Sequence, residues 1–219
     1  MERSSVRVIL IGGPSGAGKT TLGAALATRL GITSLTVDDL VVAARAVTTP
    51  TSHPGLWAMN RVPWPEYFTD SSVEDLKADA TRRHEATWPM VKVVIEKYAS
   101  APGAAVVIDG WHIRPSYVAE LDPDPDNVWA AWIVPAREVL EARERALMLE
   151  FYSHSSDPER MLGNFLGRSY WFTDLVEKEA TELGMNVLRQ PGDATVDDLC
   201  DRVLEDLGPR APRSMISSP

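Results

Sequence analysis

The chain has 219 residues, enough for one α/β domain carrying a small insertion, and its 24% charged and 44% hydrophobic residues are an ordinary globular mix. A formal net charge of −9 repels a polyanionic backbone, so general nucleic-acid binding is not expected. With Cys200 the only cysteine, no internal disulfide can form; no apolar run is long enough for a bilayer, and Met1–Ser5 is too short and polar for a signal peptide. The expectation is a cytoplasmic protein, monomer or homodimer, with a small-molecule partner and no membrane contact.

Val6–Ile11 is a β-branched apolar run that predicts a buried parallel strand. Leu22, Ala25, Leu26 and Leu30 then share one helical face, and Gly31 stands where that helix would stop. Leu35–Val37 predicts a second strand ending at Asp38-Asp39, with an alanine- and valine-rich helix over 40–47. From Thr48 to Asp70, prolines 50, 54, 63 and 65 alternate with Trp57, Trp64, Tyr67 and Phe68, which reads as a functional loop or cap. A helix over 72–101 follows, capped by Ser72 and kinked at Pro89.

Ala104–Ile108 predicts a third strand ending at Asp109-Gly110, and Val128–Val134 a fourth ending before Pro135. A charged helix is expected over 136–151, another over 157–184 with room for a break, and a short strand at 186–188. Cys200 falls within an amphipathic helix as a packed thiol, and the Pro/Ser/Arg-rich end, 209–219, reads as a disordered tail. The alternation implies a three-layer α/β/α fold on a five-stranded parallel sheet, one domain over 1–208 with a cap segment at 48–101 and a lid region at 137–170.

The sharpest feature is Gly13-Pro14-Ser15-Gly16-Ala17-Gly18-Lys19-Thr20, which fits G-x-x-x-x-G-K-[ST] at every fixed position and sits between a strand and a helix. That context predicts a phosphate cradle. Backbone amides of residues 13–20, with Thr21 beside them, would face the oxygens of ATP; Lys19 would reach the β- and γ-phosphates, and the Thr20 hydroxyl would serve Mg²⁺. Asp109, at a strand end, suits the metal shell, although a turn aspartate before glycine explains it too. Asp38 suits the base that takes a proton from an acceptor hydroxyl, the alternative being a helix cap formed by Asp38 or Asp39.

Arg137, Arg143, Arg145, Arg160 and Arg168 crowd the region after the fourth strand. Arg143, Arg145 and Arg168 are the candidates to neutralise phosphoryl charge, against a solvated helix face paired with Glu138, Glu141 and Glu144. Gln190 follows the last strand, where an adenine would lie. Trp57, Asn60, Arg61, Trp64 and Tyr67, with His84, Trp88 and His112, are the candidate acceptor pocket, the tryptophans serving equally well as cap core.

These residues together resemble the phosphate-loop small-molecule kinases of the nucleoside-monophosphate-kinase-like group, and within it the 2-phosphoglycerate-kinase-like proteins. The likeness is carried by Gly12-Gly13-Pro14-Ser15-Gly16-Ala17-Gly18-Lys19, by Asp109-Gly110-Trp111-His112-Ile113-Arg114-Pro115, and by Met161-Leu162-Gly163-Asn164-Phe165 with Arg168. That family has glutamate where this chain has Asp109. Val37-Asp38-Asp39-Leu40 is similar to the segment of chloramphenicol phosphotransferases whose aspartate is the base. The resemblance implies an ATP- and Mg²⁺-dependent kinase acting on a hydroxyl of a sugar, sugar acid or secondary metabolite. A nucleoside or nucleotide kinase, and an ATPase module working through a partner, are the alternatives.

Overall fold

A computed structural model of the chain describes residues 6–60, 62–101, 103–121, 127–152, 154–192 and 194–212. Arg61 and residues 213–219 of the expected tail lie outside these described residues. Five strands, β1 (Val8–Gly12), β2 (Thr33–Thr36), β3 (Val106–Asp109), β4 (Val128–Pro135) and β5 (Asn186–Gln190), form one parallel sheet in the order β2-β3-β1-β4-β5. Along β1 the side chains alternate between two cores, as strand geometry requires. Ile9 and Ile11 join Leu22 and Leu26 of α1 (Lys19–Leu30) and Leu199, Cys200 and Val203 of α8 (Val196–Leu207). Val8 and Leu10 join Trp88, Val91 and Ile95 of α4 (Val73–Ser100) and Phe172 and Val176 of α7 (Pro158–Glu182). The result is the expected three layers, with Cys200 fully buried.

Several boundaries differ from the sequence expectation. β2 ends at Thr36, and α2 (Val37–Ala46) begins directly after it because the Thr36 hydroxyl accepts the Asp38 backbone N–H. Neither Asp38 nor Asp39 is therefore the helix cap. The stretch read as loop contains α3 (Trp64–Asp70), started by Pro65 in its first turn. Pro89 lies inside α4 without ending it; it is on the exposed side, where water can satisfy the carbonyl of Glu85. α7 runs unbroken from its Asp157 cap. A single turn, α5 (Pro115–Val118), was not foreseen, and α6 spans Arg137–Tyr152.

Segment 48–72 packs on the first half of α7 through a third apolar cluster of Met59, Tyr67 and Phe68, with Leu76 of α4, against Met161, Leu162, Phe165 and Leu166. Asn164 fastens it by donating to the carbonyls of Phe68 and Ser71. Phe68 is fully buried and meets Trp64, Tyr67 and Phe165 edge-on. Replacing Phe68 by Ala should destabilise the fold by about 3–5 kcal/mol. Urea unfolding followed by circular dichroism checks this; a midpoint equal to wild type would mean that the third cluster contributes nothing to stability.

Candidate active site

The carboxyl ends of β1, β2, β3 and β5 converge on one cleft of about 730 Å³. Its base is the loop between β1 and α1. Gly13, Gly16 and Gly18 hold φ of 136°, 76° and 86°, a region closed to most side chains, so the backbone turns tightly enough to open α1 toward the cleft. Lys19 reaches across its own loop and donates from Nζ to the Pro14 carbonyl at 2.7 Å. Burial lowers its ammonium to about 8, against the attraction of Asp38, Asp109 and Glu144.

Thr20 and Asp109 meet because β3 lies beside β1, with Asp109 in register with Ile11. The Thr20 hydroxyl donates to Asp109 Oδ1 at 2.7 Å. Desolvation raises the Asp109 carboxyl, while the Thr20 hydrogen bond and Lys19 pull it down. This hydroxyl–carboxylate pair is an all-oxygen donor set of the kind that would suit Mg²⁺. No group of three or more His, Cys, Asp or Glu is arranged to hold a metal among the described residues.

Arg143 leans over the loop. Its Nη1 donates to the Gln190 Oε1 at 2.9 Å and lies 3.4 Å from the carbonyls of Gly16 and Ala17. Glu144, expected on a solvated face, is instead buried against Gly16; desolvation raises its carboxyl, opposed by Arg168 and Lys19. Arg145 points elsewhere, pairing with Glu141 and Glu159 at the surface, and does not line the cleft.

The opposite wall comes from α2, α4 and segment 48–72. Asp38, Val41, Val42 and Arg45 repeat at helical spacing and all face the cleft, joined by Met59, Asn60, Trp64, Arg83, Trp111 and Arg168. The Asp38 side chain is 66% accessible on this open wall. The enclosing protein still raises its carboxyl by desolvation, against the pull of Lys19 and Arg83. Arg83 donates to the Leu56 carbonyl at 2.5 Å and to Asn60 Oδ1 at 2.8 Å, while its buried Nε has no hydrogen-bond partner. Burial and the neighbouring Arg45 lower Arg83 to about 10. Arg45 lies 4.3 Å over the Trp57 ring, and Arg168 is buried within 5.2 Å of the rings of Phe68, Trp111 and Phe165. Five basic side chains and one carboxylate thus line a cleft in an acidic protein.

Five expected acceptor residues do not line it. Trp57 is a prop, donating to Thr48 beneath Arg45. Tyr67 is buried and donates to Asp79. Trp88 packs on Tyr117 in the second core, and His84 and His112 lie fully buried below Trp111 and Phe172. Sequence reasoning missed Arg45, Arg83, Trp111 and Glu144. A signal existed for Arg83: Asp79, Arg83 and Thr87 recur every four residues on the buried stripe of α4, which is too polar for plain core.

The model of the AAA domain family matches residues 8–152, well over half of the chain. The chain belongs to the AAA domain family. Two curated relatives are called 2-phosphoglycerate kinase. The chain is 25% identical to the one from Pyrococcus horikoshii over 201 residues, 91% of this chain and 64% of that protein. It is 30% identical to the one from Pyrococcus furiosus over 137 residues, 62% of this chain and 44% of that protein. The chain therefore spans less than two thirds of the length of these relatives. Among solved structures, a sugar kinase from Janibacter superposes with a TM-score of 0.54 at 19% identity, covering 94% of this chain and 98% of that one. A gluconokinase from Sinorhizobium meliloti gives 0.52 at 17%, covering 94% and 93%. These likenesses show the fold of this AAA domain.

The lowered Lys19 ammonium has a consequence for nucleotide affinity. Phosphates favour the charged form, so Mg·ADP affinity should be full well below pH 8, where the free lysine is already protonated. Above it, Mg·ADP affinity should fall by about tenfold per pH unit as the free lysine loses its proton. Titration calorimetry between about pH 7.5 and 9.5, above the phosphate's own titration near 6, would show this. Lys19→Met should bind more weakly, with a flat pH response.

Proposed function

We propose that the chain is an ATP-dependent kinase transferring the γ-phosphoryl group to a hydroxyl of a small, anionic acceptor. The observation that carries this reading is the shared cleft: the phosphate loop with Lys19 and Thr20 faces the Asp38 carboxylate across a space lined by Arg45, Arg83 and Arg168. A pure ATPase needs no second wall with its own base and cations. The name of the two curated relatives supports an acceptor such as 2-phosphoglycerate, whose carboxylate and phosphate would meet the arginines.

In this mechanism the loop amides and Lys19 hold the β- and γ-phosphates, with Arg143 over the loop. Thr20 and Asp109 would hold Mg²⁺, which when bound neutralises charge on the phosphate oxygens. Arg45 and Arg83 hold the acceptor's anionic end and turn its hydroxyl toward the phosphates. Asp38 accepts the hydroxyl proton as the new O–P bond forms and the bond between the γ-phosphorus and the ADP oxygen breaks. Arg168 is held by three aromatic faces, so its charge is aimed before substrate arrives.

Coupled ADP release with 2-phosphoglycerate, gluconate, adenosine and glucose tests the reading. Acidic acceptors should accelerate ADP release and neutral ones should not; an ATP hydrolysis rate indifferent to every acceptor would sink it in favour of a partner-driven module. With the responding acceptor, Asp38→Asn should lower kcat by about two orders of magnitude. Arg45→Met should raise the acceptor KM by about tenfold or more with a smaller change in kcat.

A further inference from the structure

His112 and His84 are buried titratable groups that the proposed mechanism does not use. Both are fully buried, and none of their four ring nitrogens has a hydrogen-bond partner among the described residues. The rings stand 5.4 Å apart, centre to centre. Burial drives both imidazoles well below their usual range, reinforced for His112 by His84, Arg83 and Lys19, and for His84 by Arg114, Arg168 and Arg83. Each is therefore neutral, with one nitrogen carrying hydrogen and one bare.

One of those nitrogens has a direction. His112 Nδ1 lies 3.9 Å from Asp38 Oδ1, too long for a hydrogen bond and close enough to become one by a small carboxylate rotation. Asp38 has freedom to rotate, because its side chain accepts no hydrogen bond among the described residues and faces the open cleft. The mount of His112 is rigid by comparison. The turn at 110–113 is pinned by the Gly110 amide on the Ile11 carbonyl and the Ile113 amide on the Gly110 carbonyl. It also presses on the first residue of α2: a Cβ at Gly110 would sit 2.7 Å from Val37 Cβ. The turn after β3 and the helix carrying Asp38 are thus locked together, with an unsatisfied donor beneath a carboxylate lacking an orienting partner.

We propose that His112 is a positioning residue: its Nδ1–H closes on Asp38 Oδ1 when substrates fill the cleft, leaving the other carboxylate oxygen turned to the acceptor hydroxyl. This rests on the reading of Asp38 as the base. It gives the site the pattern of a base held by a third group, with the contact tightening only in the loaded state. His84 packs edge-on against the imidazole, and Trp111, which lines the cleft, meets both rings at centroid distances of 4.2 and 4.8 Å.

Two measurements test it separately. Imidazole ¹⁵N spectra of the Mg·ADP-loaded protein with 2-phosphoglycerate added should show His112 neutral with its proton on Nδ1, and Asp38→Ala should move that proton to Nε2. A proton on Nε2 in both proteins with the cleft filled by Mg·ADP and an acceptor of the panel shown to bind, or a spectrum indifferent to Asp38→Ala, overturns the proposal whether or not that acceptor turns over. In the kinetic arm, with the acceptor that responds in the panel, His112→Leu should lower kcat by about tenfold to a hundredfold and leave the acceptor KM within about threefold. His112→Asn, which keeps an N–H near the Nδ1 position, should recover most of that loss, and His112→Gln should not. His112→Leu added to Asp38→Asn should cost little further. Equal losses in the Asn and Gln variants would assign His112 to packing alone. A near-wild-type Asp38→Asn would instead remove the base reading, an outcome the spectra do not share.

Discussion

The hydrogen bond from the Thr20 hydroxyl to the Asp109 carboxylate is the constraint around which this cleft is organised. It joins the first turn of α1 to the end of β3, two places 89 residues apart in sequence. Only a parallel sheet with β3 directly beside β1 makes them neighbours, and that adjacency is set by apolar strands buried between two helical layers. Packing energy fixes the sheet order, and the sheet order fixes a hard-oxygen pair beside a phosphate cradle. The chemistry at the cleft is thus supported by burial far from it.

Desolvation is the second theme. Lys19, Asp38, Asp109, Glu144 and Arg83 are all moved from their ordinary titration first by being taken out of water, and only then by one another. A polar cluster of this kind costs folding free energy and contributes little to stability by itself. The aromatic frame around Arg168 and the apolar cluster under segment 48–72 offset that cost locally. The same cluster explains how an acidic chain presents a cationic cleft: its acids are largely outside, and five of its basic side chains converge on one wall and floor.

The two walls of the cleft are built differently. The phosphate side is backbone, shaped by glycine conformations and a helix start, and tolerates little variation. The opposite wall is made of side chains from α2, α4 and α7, with Met59 and Asn60 from the stretch after α2 and Trp64 from the start of α3. Side-chain walls can change their chemistry without disturbing the sheet. On the proposed reading, that division gives nucleotide recognition to the backbone side and acceptor choice to the wall held by packing between helices.

How much of this was legible follows from the range of the forces involved. The phosphate loop, the five strands, the thiol of Cys200 and the positions of Asp109 at the end of β3 and Asp38 just past β2 are written in local signals: glycine spacing, β-branched runs and helical periodicity over a few residues. The cap of α2 was local but subtle: the sequence offered an aspartate as the alternative reading, and the reach of one hydroxyl, that of Thr36, decided it instead. The burial of Glu144, the retreat of Trp57, Tyr67, Trp88, His84 and His112 from the cleft, and the arrival of Arg45 and Arg83 in it were decided by how α2, α4, α6 and α7 dock. Docking depends on the summed contacts of residues far apart in the chain, which no short window contains. The sequence by itself determined that polyphosphate would meet a backbone cradle; only the tertiary structure decided which side chains face it across the cleft.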